Sequence, residues 1–201
     1  MPIFEEVYEQ AKKENPDLPY IELGYIDSMN IDAFAIGRHT IAVSQGAIEG
    51  FSEEELQGVL AHEIGHIRHG HTKALLLNVI GNGVFTILIL LMKGILLLME
   101  LMGNITGGFG GVFSIFRHIF EIIIMLFTLI GYLILAINSR QNEYQADNFA
   151  LQSGFGDELI KALYLLQKFS LGENMGLMER LKSSHPHINK RIERLENLAT
   201  A

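Results

Sequence analysis

"VLAHEIGHIRHGHT", residues 59–72, packs four of the chain's eight histidines into ten positions and sets Glu63 beside the first of them. On an α-helix, His62 and His66 stand at i and i+4, so both imidazoles project from one face about one turn apart. A tetrahedral zinc ion can be gripped from that face. Glu63 then sits where a carboxylate reaches the metal's water without being a ligand, the H-E-x-x-H arrangement of zinc hydrolases. Three fixed residue types also recur by chance, and catalytic zinc takes three protein ligands plus an open position for water. The reading therefore depends on a third ligand elsewhere in the chain.

The helix itself is well signalled. Ser52 is a good N-cap and Glu55 completes a capping box, while Glu53, Glu54 and Glu55 favour the positive end of the helix dipole. Leu56, Val59, Leu60, Ile64 and Ile67 recur at helical spacing and give the segment a face to bury. Gly58 and Gly65 weaken the helix but let another backbone come close. His69 and His71 do not continue the i, i+4 pattern from His66; with Arg68 and Lys73 they are expected to form a cationic, water-facing helix end.

Outward from this helix, the composition is uneven. Mean hydropathy is +0.25 although 19% of residues are charged. From Val84 to Met102 only Thr86, Lys93, Gly94 and Glu100 interrupt an apolar run, and from Ile119 to Ile137 only Glu121, Thr128, Gly131 and Tyr132 do. Each run is close to the ~20 residues that cross a bilayer as a helix, and the glycine-rich "GNITGGFGGVFS" separates them. A buried pair in a soluble core would show a polar face; these runs are apolar all round and read as a transmembrane hairpin. Charges are costly in lipid. Folding the hairpin about residues 107 and 108 brings Lys93 level with Glu121, and Glu100 level with Arg117, as two compensating pairs.

The first residues, "MPIFEEVYEQAKKENPD", are acidic and polar and do not read as a signal peptide. Both long flanks are thus expected on the side of synthesis, and Arg68, Lys73 and Arg140 agree with the positive-inside tendency. The chain is expected in the cell membrane as a multi-pass protein with its catalytic part cytoplasmic. With no cysteine, nothing points to a disulfide-stapled domain, and a net charge of −8 argues against nucleic-acid binding.

Residues 3–14 form an amphipathic helix candidate ended by Pro16 and Pro19. "YIELGYID" and "AFAIGRHTIAVS" read as strands of a small sheet. After the hairpin come a helical "SRQNEYQADNFALQSG" with Gly154 as C-cap, a helix over 157–169 and a charged terminal helix. Glu143 is the candidate third ligand. Asp147, four residues on, shares its face and is placed to hold the free ring nitrogen of His62. The alternative for Glu143 is an exposed surface carboxylate, the usual fate of a helical glutamate. An antiparallel hairpin returns the chain near where it left, which would bring Glu143 to His62 and His66.

"VLAHEIGHIRHGHT", the hydrophobic hairpin, "SRQNEYQAD" and "SSHPHINKRIERL", in this order, resemble the HtpX-type membrane zinc proteases, which are related to the CAAX prenyl proteases. The resemblance runs from about residue 20 to 195. It implies one zinc per chain on His62, His66 and Glu143, Glu63 as general base and Asp147 behind a ligand. It implies an α+β, gluzincin-like protease fold, mostly helical with a small N-terminal sheet. Its halves would be residues 1–74 and 139–201, with the hairpin at 75–138 between them. The family's "HP....RI" pattern lies by the active site and matches His185, Pro186, Arg191 and Ile192. Where the family usually reads "NAFA", Asp32 precedes Ala33, Phe34 and Ala35. Family members carry membrane helices ahead of the protease domain, so the chain is expected to be a shortened form.

The function expected is a membrane-embedded zinc endopeptidase acting on unfolded or membrane-associated polypeptides. His185 is the candidate to stabilise the oxyanion, with His187 or a simple turn histidine before Pro186 as alternatives. Ala33, Phe34 and Ala35 are the candidate edge strand for an extended substrate. The bilayer and polypeptide substrates are the expected partners. The competing class is a non-catalytic zinc-binding membrane protein, a metal sensor or scaffold, in which Glu63 has no chemical purpose.

Overall fold

A computed structural model describes residues 1–105, 107, 110–170 and 188–200, without the side chains of 72–80, 82, 130, 132–136 and 170. Two compact units make up the chain. One joins Met1–Ala74 to Asn138–Ala201, and the other is Leu75–Ile137.

In the first unit, α1 (Pro2–Glu14) begins on a proline, whose missing N–H costs nothing in a first turn. It buries Phe4, Val7, Tyr8 and Ala11, one helical stripe. Three short strands follow: β1 (Glu22–Ile26), β2 (Ala33–Ile36) and β3 (Thr40–Ser44). β3 is central, parallel to β1 and antiparallel to β2. Gly37, at φ 64°, takes the left-handed conformation that lets the chain turn tightly from β2 into β3. Ser44 ends β3 and caps α2 (Gln45–Gly50), its hydroxyl accepting from the Ala47 N–H.

α3 (Glu53–His69) starts with the full Ser52–Glu55 capping box. It buries Leu56, Leu60, Ala61, Ile64 and Ile67 at the centre of the core. α6 (Gly156–Ser170) and α7 (Ile188–Ala199) complete the unit, adding Leu159, Leu163, Ile192 and Leu195 to the same core. The two glycines of α3 explain how tightly its neighbours approach. A Cβ on Gly58 would stand 2.2 Å from the Leu159 backbone nitrogen, and one on Gly65 2.9 Å from the Cα of Ala146.

α4 (His71–Ile105) and α5 (Gly110–Gln152) carry the apolar runs. Within them Gly83–Ile105 and Gly110–Leu129 are long and apolar enough to cross a membrane, and large side chains such as Ile87, Leu97, Ile115 and Phe127 are exposed. The Arg117 guanidinium donates to Glu100 at 2.8 Å across the turn, as the sequence suggested, and also approaches Glu121 at 3.6 Å. The pairing expected between Lys93 and Glu121 is not formed: among the described residues Glu121 faces Arg117 and His118. An arginine one turn away on the same helix reaches Glu121 without depending on the register between helices. The architecture is thus mostly helical α+β, with a small N-terminal sheet and two apolar helices inserted in the middle.

Candidate metal centre

Four elements of the first unit meet at one buried cluster. α3 supplies His62, Glu63 and His66; the last turns of α5 supply Glu143 and Asp147; α7 supplies Arg191; β2 supplies a backbone amide. The Nε2 atoms of His62 and His66 lie 3.2 Å apart. The Glu143 carboxylate closes the triangle, with Oε2 at 3.5 Å from His62 Nε2 and Oε1 at 3.5 Å from His66 Nε2. Ligands at the ~2.0–2.1 Å of a tetrahedral zinc stand about 3.3–3.4 Å from one another. Two imidazole nitrogens and one carboxylate at these separations fit such an ion. Glu63 also lies near, one of its oxygens within 4.8 Å of the histidine donors. Its Oε2, however, accepts the Ala35 N–H at 2.8 Å.

That bond fixes the orientation of β2. Asp32 and Ser44 exchange ladder contacts, the Ser44 N–H donating to the Asp32 carbonyl at 3.0 Å. Antiparallel pairs alternate, so Phe34 and Ile36 bond to β3 while Ala33 and Ala35 turn their polar backbone groups to the free edge. The Asp32 N–H does not join the ladder but donates to the Ser44 side-chain hydroxyl at 3.0 Å.

Behind the triangle, Asp147 Oδ1 stands 3.0 Å from His62 Nδ1. Arg191 grips Asp147 with two bonds of 2.6 and 2.9 Å, reaches Glu143 Oε2 at 3.0 Å, and lies 3.3 and 3.4 Å from the two ring nitrogens of His62. Burial and Arg191 push the His62 imidazolium down, but hydrogen bonds to Asp147 and Glu143 outweigh them and set its pKa at about 9. Burial would raise the Asp147 carboxyl; the bonds from His62 and Arg191 outweigh it and hold it below the usual carboxylate range. With His62 protonated, two cations face two carboxylates in a site with little solvent.

The structure brings His62, Glu63, His66, Glu143, Asp147 and Ala35 together. It leaves Phe34 exposed on the sheet and Ala33 further along the same edge. His185, with Pro186 and His187, lies outside the described residues. Arg191, which the family pattern placed by the active site without giving it a role, takes a central place in the cluster. His71 is a correction. It is not a water-facing cation: its Nδ1 lies 3.0 Å from His66 Nδ1 and its Nε2 2.9 Å from Gln145 Oε1. Burial holds its pKa below the ordinary histidine value despite the bond to Gln145. The cause is Gly70, whose left-handed φ of 69° ends α3 and turns the chain back.

Comparison with known proteins gives one consistent answer. Residues 2–199 match the model of peptidase family M48. The chain is 29% identical to protease HtpX of Shewanella frigidimarina over 97% of its own length and 73% of that protein's. It is 30% identical to protease HtpX of Haemophilus influenzae, covering 98% of this chain and 73% of the relative. The crystal structure of S. mikatae Ste24p is similar in fold, with a TM-score of 0.63 at 23% identity over 96% of this chain. The chain spans about half, 49%, of that structure's length.

Proposed function

The chain belongs to peptidase family M48, and from that premise we propose that it is a membrane-embedded zinc endopeptidase whose ligands are His62, His66 and Glu143. The observation that carries this reading is the convergence of two Nε2 atoms 3.2 Å apart on the Glu143 carboxylate, each 3.5 Å from one of its two oxygens. Zinc held there would lower the pKa of a bound water toward ~7 and polarise the scissile carbonyl. The protein's own residues do the rest. Binding a cation at Nε2 requires the His62 proton to leave, and Asp147 then accepts from Nδ1–H and keeps that ring in the ligating tautomer.

Glu63 takes the proton from the attacking water and passes it to the departing amine. Its Oε2 is steadied by the Ala35 N–H, so the base and the edge of β2 are tied together. An extended polypeptide pairing with the outward backbone groups of Ala33 and with the Ala35 carbonyl would lie beside Glu63, read through its main chain more than its side chains. His185 remains the proposed oxyanion donor. Residues 1–74 and 139–201 would form the protease, and 75–138 a hairpin holding it to the bilayer with the catalytic part cytoplasmic. Unfolded or membrane-proximal segments are the substrate class such backbone reading favours.

The test joins metal content to activity. Wild type and Glu63→Gln are purified in detergent, their zinc measured, and cleavage of casein followed. About one zinc per chain in both, with only the wild type cutting, is expected. Zinc in both and cleavage by both would remove Glu63 from the chemistry. A wild type without zinc would overturn the ligand assignment.

A further inference from the structure

The two candidate ligand histidines are steadied in different ways. The outer nitrogen of His62 faces an anion, Asp147, at 3.0 Å, backed by Arg191. Among the described residues the outer nitrogen of His66 faces no carboxylate; its partner is His71, whose far nitrogen reaches the Gln145 side-chain carbonyl at 2.9 Å. We propose that His71 is a positioning residue for the metal: it accepts the His66 Nδ1–H, donates its own Nε2–H to Gln145, and so fixes His66 with Nε2 free to ligate. This rests on the metal reading given above and extends it.

Proton counting makes the chain one-directional. If His66 Nε2 carries a lone pair toward a metal, its neutral ring must bear the proton on Nδ1. That proton needs an acceptor, and His71 Nδ1 is 3.0 Å away. To accept there, a neutral His71 must carry its proton on Nε2, where Gln145 Oε1 receives it. Each link has one donor and one acceptor. A protonated His71 would offer only donors and break the first link. His69 holds the arrangement from the side. Its ring stacks on His71 with centroids 5.3 Å apart, and its Nδ1–H donates to the Gly65 carbonyl at 2.9 Å.

The placement is built by the backbone. On an uninterrupted helix a residue five positions on lies about 140° around the axis, at ~100° per residue, so His71 would face away from His66. The left-handed turn at Gly70 removes that offset. Gln145 stands on α5 between Glu143 and Asp147, so the same helix braces the third ligand and both ligand histidines. An outer partner of this kind is typically worth about 10–100-fold in metal affinity.

The experiment measures zinc affinity of the full-length protein in detergent by competition with a chromophoric chelator, independently of proteolysis. Wild type is compared with His71→Leu, His71→Asn, Gln145→Glu and the double variant His71→Leu/Gln145→Glu. His71→Leu is expected to bind zinc about 10–100-fold more weakly. His71→Asn places a carbonyl oxygen near the Nδ1 position and should recover much of the loss, which a packing role would not predict. Gln145→Glu should tighten binding several-fold by making His71 a better acceptor, and the gain should disappear when His71 is leucine. Should His71→Leu fail to fold, the asparagine and Gln145→Glu variants carry the same test. Equal affinities for wild type, His71→Leu and His71→Asn, or a Gln145→Glu gain that survives loss of His71, would overturn the proposal. A wild type that takes up no zinc would instead bring down the metal reading on which it rests.

Discussion

Each unit of this protein holds one guanidinium between two carboxylates, and the two triads serve opposite ends. Arg191 sits with Asp147 and Glu143 in the unit that folds around a core, all three almost fully buried. Arg117 sits with Glu100 and Glu121 on helices whose large apolar side chains face outward. In the first, charge is taken from water and held against the histidines of the proposed metal site. In the second, charge is partnered so that apolar helices can carry it. A buried ion pair is weak evidence of stability by itself; what surrounds it decides whether it is an asset or a liability.

The sharpest way to break this contrast is to remove both arginines in turn. Arg191→Met strands two carboxylates in a closed site and is expected to destabilise the folded protein by about 3–5 kcal/mol, read as a drop in thermal midpoint. Adding Asp147→Asn should not restore zinc binding. Arg117→Met should impair membrane insertion. There the paired change Glu100→Gln should recover it, because removing charge from an apolar helix is itself favourable. If both double variants behaved alike, the two triads would not differ in kind.

A second test compares leucines. Leu60, wholly buried, should lose about 2–5 kcal/mol on change to alanine. Leu97, exposed on α4, should change detergent stability by no more than about 0.5 kcal/mol on the same substitution. Equal losses would mean that the α4 face is covered by protein.

Much of this was legible in local signals. The Ser52–Glu55 box, the buried stripe of α3, the three strands and the approach of Asp147 to His62 all follow from spacing and from side-chain chemistry. Two features were not legible from the residues' own patterning, each for its own physical reason. His71 reaches His66 only because Gly70 leaves the helical path, and periodicity assumes the path continues. Arg191 enters the cluster from α7, which packs through Ile192 and Leu195, and a pattern of apolar residues does not say which charge is carried inward beside them. The register of the hairpin failed more mildly. Level positions predicted Lys93 for Glu121, but an arginine one turn away was nearer.

Acidity gives a third, smaller test, made on protein stripped of metal. The folded pKa of His62, about 9, lies above the ordinary value of 6.5. The stabilisation it reports is therefore fully present below pH 6.5 and is lost as pH rises through 9. The thermal midpoint of metal-free protein should fall across that window. Zinc should tighten over the same range, with release of about one proton per ion. A flat profile would mean that His62 is already neutral. The smallest effect is expected at Lys161 and Glu54, an exposed surface ion pair. Lys161→Gln should leave the midpoint unchanged within error, since exposed pairs contribute little.

The position of Arg191 on the last helix also sets an order of events. During synthesis the histidines emerge first, the hairpin next, then Glu143 and Asp147, and only after them the cation that lets two carboxylates leave water. Until α7 docks, the cluster has no inexpensive way to close. A nascent chain therefore carries the histidines and both carboxylates of the cluster before it carries the cation that faces them.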